Sequence, residues 1–117
     1  MIEATPHASL QPSPWISRFS PMVPPGASVL DVACGRGRHM HWFAQRGHPV
    51  TGVDRDAEAL AAARARGEAV QADIENGPWP FADRRFGAVV VTNYLWRPLL
   101  PTILEAVEPG GVLLYET

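Results

Sequence analysis

Cysteine is almost missing from this chain: Cys34 is the only one in 117 residues. A lone thiol excludes an internal disulfide framework and a paired-cysteine metal site. An excess of one charge is missing too. Ten basic and twelve acidic residues leave a formal charge of -2, so electrostatics gives no reason to expect nucleic acid or an anionic membrane as partner. No apolar run approaches the roughly 20 residues of a membrane span, and the N-terminus lacks the basic-then-apolar order of a signal peptide. The default expectation is a cytoplasmic protein. No Gly-Lys-Ser/Thr triplet occurs, which removes a P-loop. The length fits one small domain. With 46% hydrophobic and 19% charged residues, the composition is that of an ordinary soluble protein.

Proline is plentiful, and densest at one end. Residues 1–26 contain Pro6, Pro12, Pro14, Pro21, Pro24 and Pro25. Fixed φ angles and missing donors at that density prevent a long helix or a central strand. These residues read as a leader, and residues 27–117 as the ligand-binding domain. Between Pro14 and Pro21 lies WISRFS, long enough for about two helical turns. Trp15 and Phe19, four apart, would share a face. They either staple the leader to the body or form a lid over a ligand.

From Ala27 onward the pattern is strand, turn, helix, repeated. SVLDVA is apolar and β-branched and runs into a glycine turn. Met40, Phe43 and Ala44 then mark one face of a helix, which Gly47 is placed to end as a left-handed cap. PVTGVD is a second strand. Asp56 can cap the following helix, AEALAAARARG, and Glu58 complements its dipole. EAVQAD is a third strand. FGAVVVTN is a fourth, and its unbroken apolar run predicts burial on both faces. A helix starts near Pro98 or Pro101, EPGG reads as a type II turn, and GVLLYE is the fifth strand. This alternation predicts an α/β, doubly wound, mostly parallel sheet with right-handed crossovers.

Ligands in such sheets sit at the carboxyl ends of the strands. Asp31, Asp54, Asp73 and Asn93 fall at the ends of the first four strands. Each alone would read as a cap or turn residue; four around one glycine loop favour a site. The loop is Asp31-Val32-Ala33-Cys34-Gly35-Arg36-Gly37-Arg38. Gly35 and Gly37 permit a tight turn and close backbone approach. A nicotinamide fingerprint would place a third glycine where Met40 stands. An acidic residue four positions before the first glycine would repel a diphosphate but suits a ligand with a positive amino group.

VLDVACGRGRH resembles the first motif of the class I S-adenosylmethionine-dependent methyltransferases, acidic-x-Gly-x-Gly-x-Gly, with Ala33 in place of the first glycine. Asp54 matches the acidic residue that in this family holds the ribose hydroxyls. Asp73-Ile74 matches the third motif, where the carboxylate takes the adenine amino group and the apolar neighbour packs on the ring. The resemblance spans about Ser28 to Glu116. More narrowly, ACGRGRH, NYLWRPLLP and PGGVLLYET are similar to a bacterial group of small methyltransferases known as tellurite-resistance-like.

The resemblance implies S-adenosylmethionine, or S-adenosylhomocysteine, as cofactor. The implied binding set is Asp31, Ala33, Gly35, Gly37, Arg38, Asp54, Arg55, Asp73, Ile74 and Asn93. It implies methyl transfer to a small-molecule acceptor, or a non-catalytic cofactor-binding module. The sulfonium methyl is already activated, so holding donor and acceptor in line is the main task, and a thiolate, selenide or tellurium oxyanion would need no general base. Asn93 and Tyr94 are the catalytic candidates. Asn93 could position an acceptor and Tyr94 could face the sulfonium by cation–π attraction; a turn and a packed aromatic are equal rivals.

Arg38 could meet the ligand carboxylate at a helix N-terminus or form a surface salt bridge. Cys34 lacks a following His–Asp arrangement and reads as a small loop filler. His39 and His41, two apart, point to different helix faces, which argues against a metal site. Trp79 and Phe81 cover the core or contact adenine.

The family sheet usually has seven strands, ordered 3-2-1-4-5-7-6. Five are legible here, in the expected order 3-2-1-4-5, without strands six and seven. Val112, Leu113, Leu114 and Tyr115 would then form an open apolar edge. Such edges pair with other chains, so a homodimer through the fifth strands is expected. The rival is a monomer whose leader covers that edge.

Overall fold

The computed structural model describes residues 11–117; the part of the leader that holds Pro6 lies outside the described residues. The chain runs α1 (Pro14–Phe19), a 3-10 turn (Ser20–Met22), β1 (Val29–Val32), α2 (Arg38–Gln45), β2 (Val50–Asp54) and α3 (Ala57–Ala63). It continues through β3 (Glu68–Gln71), β4 (Phe86–Thr92), a second 3-10 turn (Arg97–Leu99), α4 (Leu100–Glu105) and β5 (Val107–Glu116).

Local chemistry sets most boundaries. The Ser13 hydroxyl accepts from the Trp15 and Ile16 amides and starts α1, with Pro14 in the first turn. Asp56 does the same for α3 by accepting from Glu58 and Ala59. Gly47, at φ 89°, follows the end of α2. The alanine-rich helix is shorter than its composition predicts, giving way after Ala63 to turns at 64–66.

The five strands form one parallel sheet, as the alternating pattern predicts, in the order β3-β2-β1-β4-β5 that the family resemblance implies. Every residue of β4 is buried. On one face Ile16, Met40, Phe43 and Leu60 from α1, α2 and α3 pack with Val29, Val90 and Leu114 of the sheet. On the other, Leu30, Val53 and Val91 pack with Phe81, Phe86 and Ile103.

Two expectations change in detail. The EPGG turn lies inside β5 rather than before it. Val107 pairs with Phe86 and Val112 with Ala88, so 108–111 bulge out opposite Gly87. Gly110 has the positive φ, 82°, that a type II turn requires. In the leader, Trp15 and Phe19 do stack, with ring centroids 4.9 Å apart, but Ile16 is the anchor. It is fully buried, with Val23 beside it in the same cluster. Burying such a side chain contributes roughly 1.5–3 kcal/mol. Leu114 is also buried in that cluster, so the predicted open edge is narrower than four residues; Val112, Leu113 and Tyr115 are half-buried. Among the described residues no helix is long and apolar enough to cross a membrane.

Candidate functional site

The loop between β1 and α2 is built from alternating left-handed residues: Ala33 at φ 58°, Gly35 at 56° and Gly37 at 90°. The two glycines serve different ends. A Cβ on Gly35 would meet nothing within 4 Å, whereas one on Gly37 would lie 3.2 Å from Ala63. Among the described residues Gly35 therefore opens onto free space, and Gly37 lets α2 start close to α3. Ala33 holds the same conformation with a Cβ, at a cost of about 1–2 kcal/mol. The loop is tied to β2 through Asp54: Gly35 N–H donates to Oδ2 at 2.8 Å, and Asp56 N–H donates to Oδ1 at 2.9 Å.

Beside this loop lie two cavities, of about 390 Å³ and about 330 Å³. Both are lined by Ala33, Asn93 and Tyr94, so they are two ends of one groove over the carboxyl ends of the strands. The larger end takes its walls from Asp54, Arg55, Asp73 and Ile74. The smaller takes Gly35, Arg38, His39 and Thr92.

The carboxylates at the strand ends differ sharply. Asp31 is 2% exposed, and neither of its oxygens has a hydrogen-bond partner among the described residues. Burial pushes its pKa up to about 8, against the pull of Arg38 and with a smaller push from Asp54. A buried carboxyl without partners avoids its charge by holding a proton. Asp73 is the opposite case. Its Oδ1 accepts from the Glu75 and Asn76 amides, both at 3.1 Å, and Oδ2 accepts from Asn76 Nδ2 at 3.1 Å. Those bonds, the Asn76 side chain first, hold it below the ordinary carboxylate range. Asp73 is therefore the cap of its own turn.

Asn93 sits at φ 54° and is exposed; its N–H donates to the Glu116 carbonyl at 2.9 Å. Tyr94 donates its hydroxyl to Glu75 Oε2 at 2.9 Å, and its carbonyl accepts from the Tyr115 hydroxyl at 2.8 Å. Burial and the Glu75 carboxylate both push the Tyr94 pKa up, so the phenol stays protonated.

His39 is the residue that sequence reading undervalued. It is 2% exposed, and its Nε2 accepts from Ser13 N–H at 3.0 Å. Its Nδ1 lies 3.5 Å from Thr92 Oγ1. Burial, with help from Arg38, lowers its pKa to about 4, so the ring is neutral and fixed between leader and sheet. The Ser13 hydroxyl also donates to Glu116, and Arg38 reaches the Gln11 carbonyl at 3.4 Å. The start of α1 is thus pinned at the smaller end of the groove. The only advance signal was a Ser-Pro pair able to cap a helix.

Cys34 is buried, and burial, then Asp31 and Asp54, push its thiol pKa up. A Cβ on Gly52 would lie 2.7 Å from its sulfur and 2.4 Å from that of Met40, which is the packing expected of a loop filler. Trp79 and Phe81 stack edge to face at 5.4 Å and line a separate cavity of about 260 Å³ with Arg84, Arg85 and Thr102.

A family model described as a methyltransferase domain matches residues 29–111, which includes the loop, Asp54 and Asp73. The chain belongs to the class I S-adenosylmethionine-dependent methyltransferases. Among curated relatives, a malonyl-[acyl-carrier protein] O-methyltransferase from Serratia marcescens is 36% identical over 102 residues, covering 80% of this chain and 39% of its own length. A ribosomal protein L11 methyltransferase from Burkholderia lata is 38% identical over 94 residues, covering 76% and 31%. The methyltransferase chain thus spans well under half the length of these relatives. Among solved structures, the glycopeptide N-methyltransferase MtfA with S-adenosyl-L-homocysteine has a TM-score of 0.68 at 29% identity, over 85% of this chain and 49% of that one. A TehB-like methyltransferase from Corynebacterium glutamicum has a TM-score of 0.74 at 22% identity, over 93% and 66%, and shows the shared fold.

In this methyltransferase domain, every residue of the expected cofactor set except Asp31 and Gly37 lines one end of the groove. Asp31 is buried close enough to Asp54 and Arg38 to feel both charges.

Proposed function

We propose that the groove binds S-adenosylmethionine and that the domain serves transfer of its methyl group to a small-molecule acceptor. One observation carries the cofactor reading: the Asp31 carboxyl is buried, close to the glycine loop, and has no partner among the described residues. A native fold rarely leaves such a group unpaired without use. The ammonium of the cofactor's amino-acid end is the donor that fits it. Asp54, at the other side of Gly35, has lone pairs left for ribose hydroxyls after its two amide bonds. Ala33 and Gly35 let the backbone come close, Arg38 and Arg55 flank the two ends, and Ile74 offers an apolar wall to the base. Gly37 acts indirectly, by seating α2. Asn93 and Tyr94, common to both cavities, lie where the two halves of the ligand would meet, and are the candidates for facing the reacting methyl. When bound, the cofactor supplies a sulfonium-activated methyl group for in-line displacement.

The acceptor class does not follow from the family. The relatives' names include an acyl-carrier protein, a ribosomal protein and, in a match over 51 residues, ribosomal RNA. A small acceptor is favoured by the small volume of the groove and by the net charge of -2, which gives no pull toward nucleic acid. Because the chain spans 39% and 31% of two relatives, a second reading is kept: cofactor binding without transfer by this chain alone. Calorimetry with S-adenosylhomocysteine tests the first step, and transfer of labelled methyl to thiol or metalloid acceptors separates the two readings. Binding without transfer supports the second; no binding removes both. The half-buried outer strand β5 further supports pairing of two chains through their fifth strands. Light scattering that finds a monomer across micromolar concentrations removes that pairing.

A further inference from the structure

Glu75 has no role so far, yet it lines the larger end of the groove beside Ile74. Its Oε2 accepts the Tyr94 hydroxyl at 2.9 Å, which bridges the turn after β3 and the segment after β4. Tyr94 is itself fixed, because its carbonyl accepts the Tyr115 hydroxyl from β5. The Glu75 carboxylate is thus oriented from outside its own turn. It has no ion-pair partner: the one salt bridge among the described residues joins Arg84 to Glu68. Asp73, the neighbour that the family motif would nominate as base reader, is mostly occupied by its own turn, which takes three of its lone-pair sites. Both lone pairs of its Oδ1 take backbone amides, and Oδ2 takes Asn76.

Resting on the cofactor reading above, we infer that Glu75, oriented by Tyr94, is the acceptor that reads the exocyclic amino group of the cofactor's base. A carboxylate offers up to four lone-pair sites, and Tyr94 uses one. What remains is an anionic acceptor beside apolar walls from Val53, Ala72 and Ile74, suited to a flat ring with an amino edge. A ring with a keto oxygen at that edge would bring two acceptors together and be rejected. Asp73 then shapes the turn that carries Glu75, and Tyr94 is a positioning residue for the base as well as a neighbour of the methyl group.

The test is calorimetric titration with S-adenosylhomocysteine and with S-inosylhomocysteine, in which a keto group replaces the amino group. The wild-type chain should prefer the adenosyl ligand by about tenfold or more, the loss expected for one hydrogen bond to a charged group. Glu75→Gln, whose amide can face either edge, should bring the two affinities within about threefold, and Tyr94→Phe should narrow the preference partway. Asp73→Asn keeps an acceptor for the two turn amides and should retain the wild-type preference. A full preference in Glu75→Gln and Glu75→Ala, or its collapse in Asp73→Asn alone, overturns the assignment while leaving the cofactor reading intact. Failure of the wild-type chain to bind S-adenosylhomocysteine overturns the cofactor reading, and this inference with it.

Discussion

Asp31 and Asp73 end strands two places apart in the sheet and look alike in sequence, each an acid at the mouth of a parallel strand. In the folded chain they are opposites. Asp31 is buried with both oxygens bare; Asp73 is exposed with both oxygens engaged by its own turn. An engaged carboxylate has already gained most of what hydrogen bonding can give it, and its deletion reports on the turn. A bare one carries a cost in the empty protein, which holding a proton lessens and a hydrogen-bonding ligand would remove. On the proposed function, the difference separates a group held ready for a ligand from a group that shapes the chain.

The largest effect should come from filling the space beside the bare carboxyl. Gly35→Val places a β-branched residue at φ 56° and a side chain in the open space beside the loop. Cofactor binding should become undetectable by calorimetry while the circular dichroism of the helices survives. A variant that binds normally would show that the loop does not touch the ligand.

Asp54→Ala comes next. It removes the proposed ribose acceptor and frees Gly35 N–H from its 2.8 Å bond. Loss of bonds to a charged group costs roughly 1.5–3 kcal/mol, so affinity should fall about tenfold or more. Unchanged affinity in a folded variant would take Asp54 out of the site.

Asp31 and Asp73 can be compared directly by exchange. Asp31→Asn should weaken the cofactor about tenfold and yet raise the melting temperature at pH 8, because a buried carboxyl no longer has to stay protonated or ionise. Asp73→Ala should lower the melting temperature at every pH above 4. If both variants behave alike, the contrast between the two sites is wrong.

The pH profile of stability sharpens the same contrast. The folded pKa of Asp31, about 8, lies above its unfolded value, so its contribution falls as pH rises from about 4 to about 8. The folded pKa of His39, about 4, lies below its unfolded value, so its contribution rises from about 4 to about 6.5. The two slopes oppose each other in the lower window, and only the Asp31 slope remains above it. Thermal melts should therefore show stability falling between pH 6.5 and 8, and Asp31→Asn should abolish that fall. A wild-type profile that rises through this window would contradict the protonated state of Asp31.

The smallest effect concerns Ala33. Glycine there removes the left-handed penalty but adds unfolded-state entropy, for a net gain of about 0.5–1 kcal/mol. A rise in denaturant midpoint without a change in slope would confirm it; a fall would show that Ala33 is not strained.

What could be read from the sequence follows physical range. The strand–helix alternation, the glycine loop, the Asp56 cap and the buried β4 all depend on neighbours within a few residues or on strict periodicity, and each was legible; the strand order is a long-range property and came only with the family resemblance. Asp73 was ambiguous because a cap and a ligand contact ask for the same residue at the same place; the bonds to Asn76 and the Glu75 amide that make it a cap form only in the folded turn. The Tyr94–Glu75 bridge spans 19 residues and the Ser13–His39 bond spans 26, and no local pattern marks either. Ile16 was overlooked for its aromatic neighbours Trp15 and Phe19, since helical spacing shows which residues share a face but not which face is inward.

The most direct test is a titration of the wild-type chain with S-adenosylhomocysteine at pH 6.5, repeated in two buffers of different ionisation heat. At that pH the ligand ammonium keeps its proton, and an Asp31 that starts neutral must release its own to pair with it. Saturable one-to-one binding, with close to one proton released per ligand and that release lost in Asp31→Asn, is the predicted result. No binding, or binding with equal heats in both buffers, would contradict it.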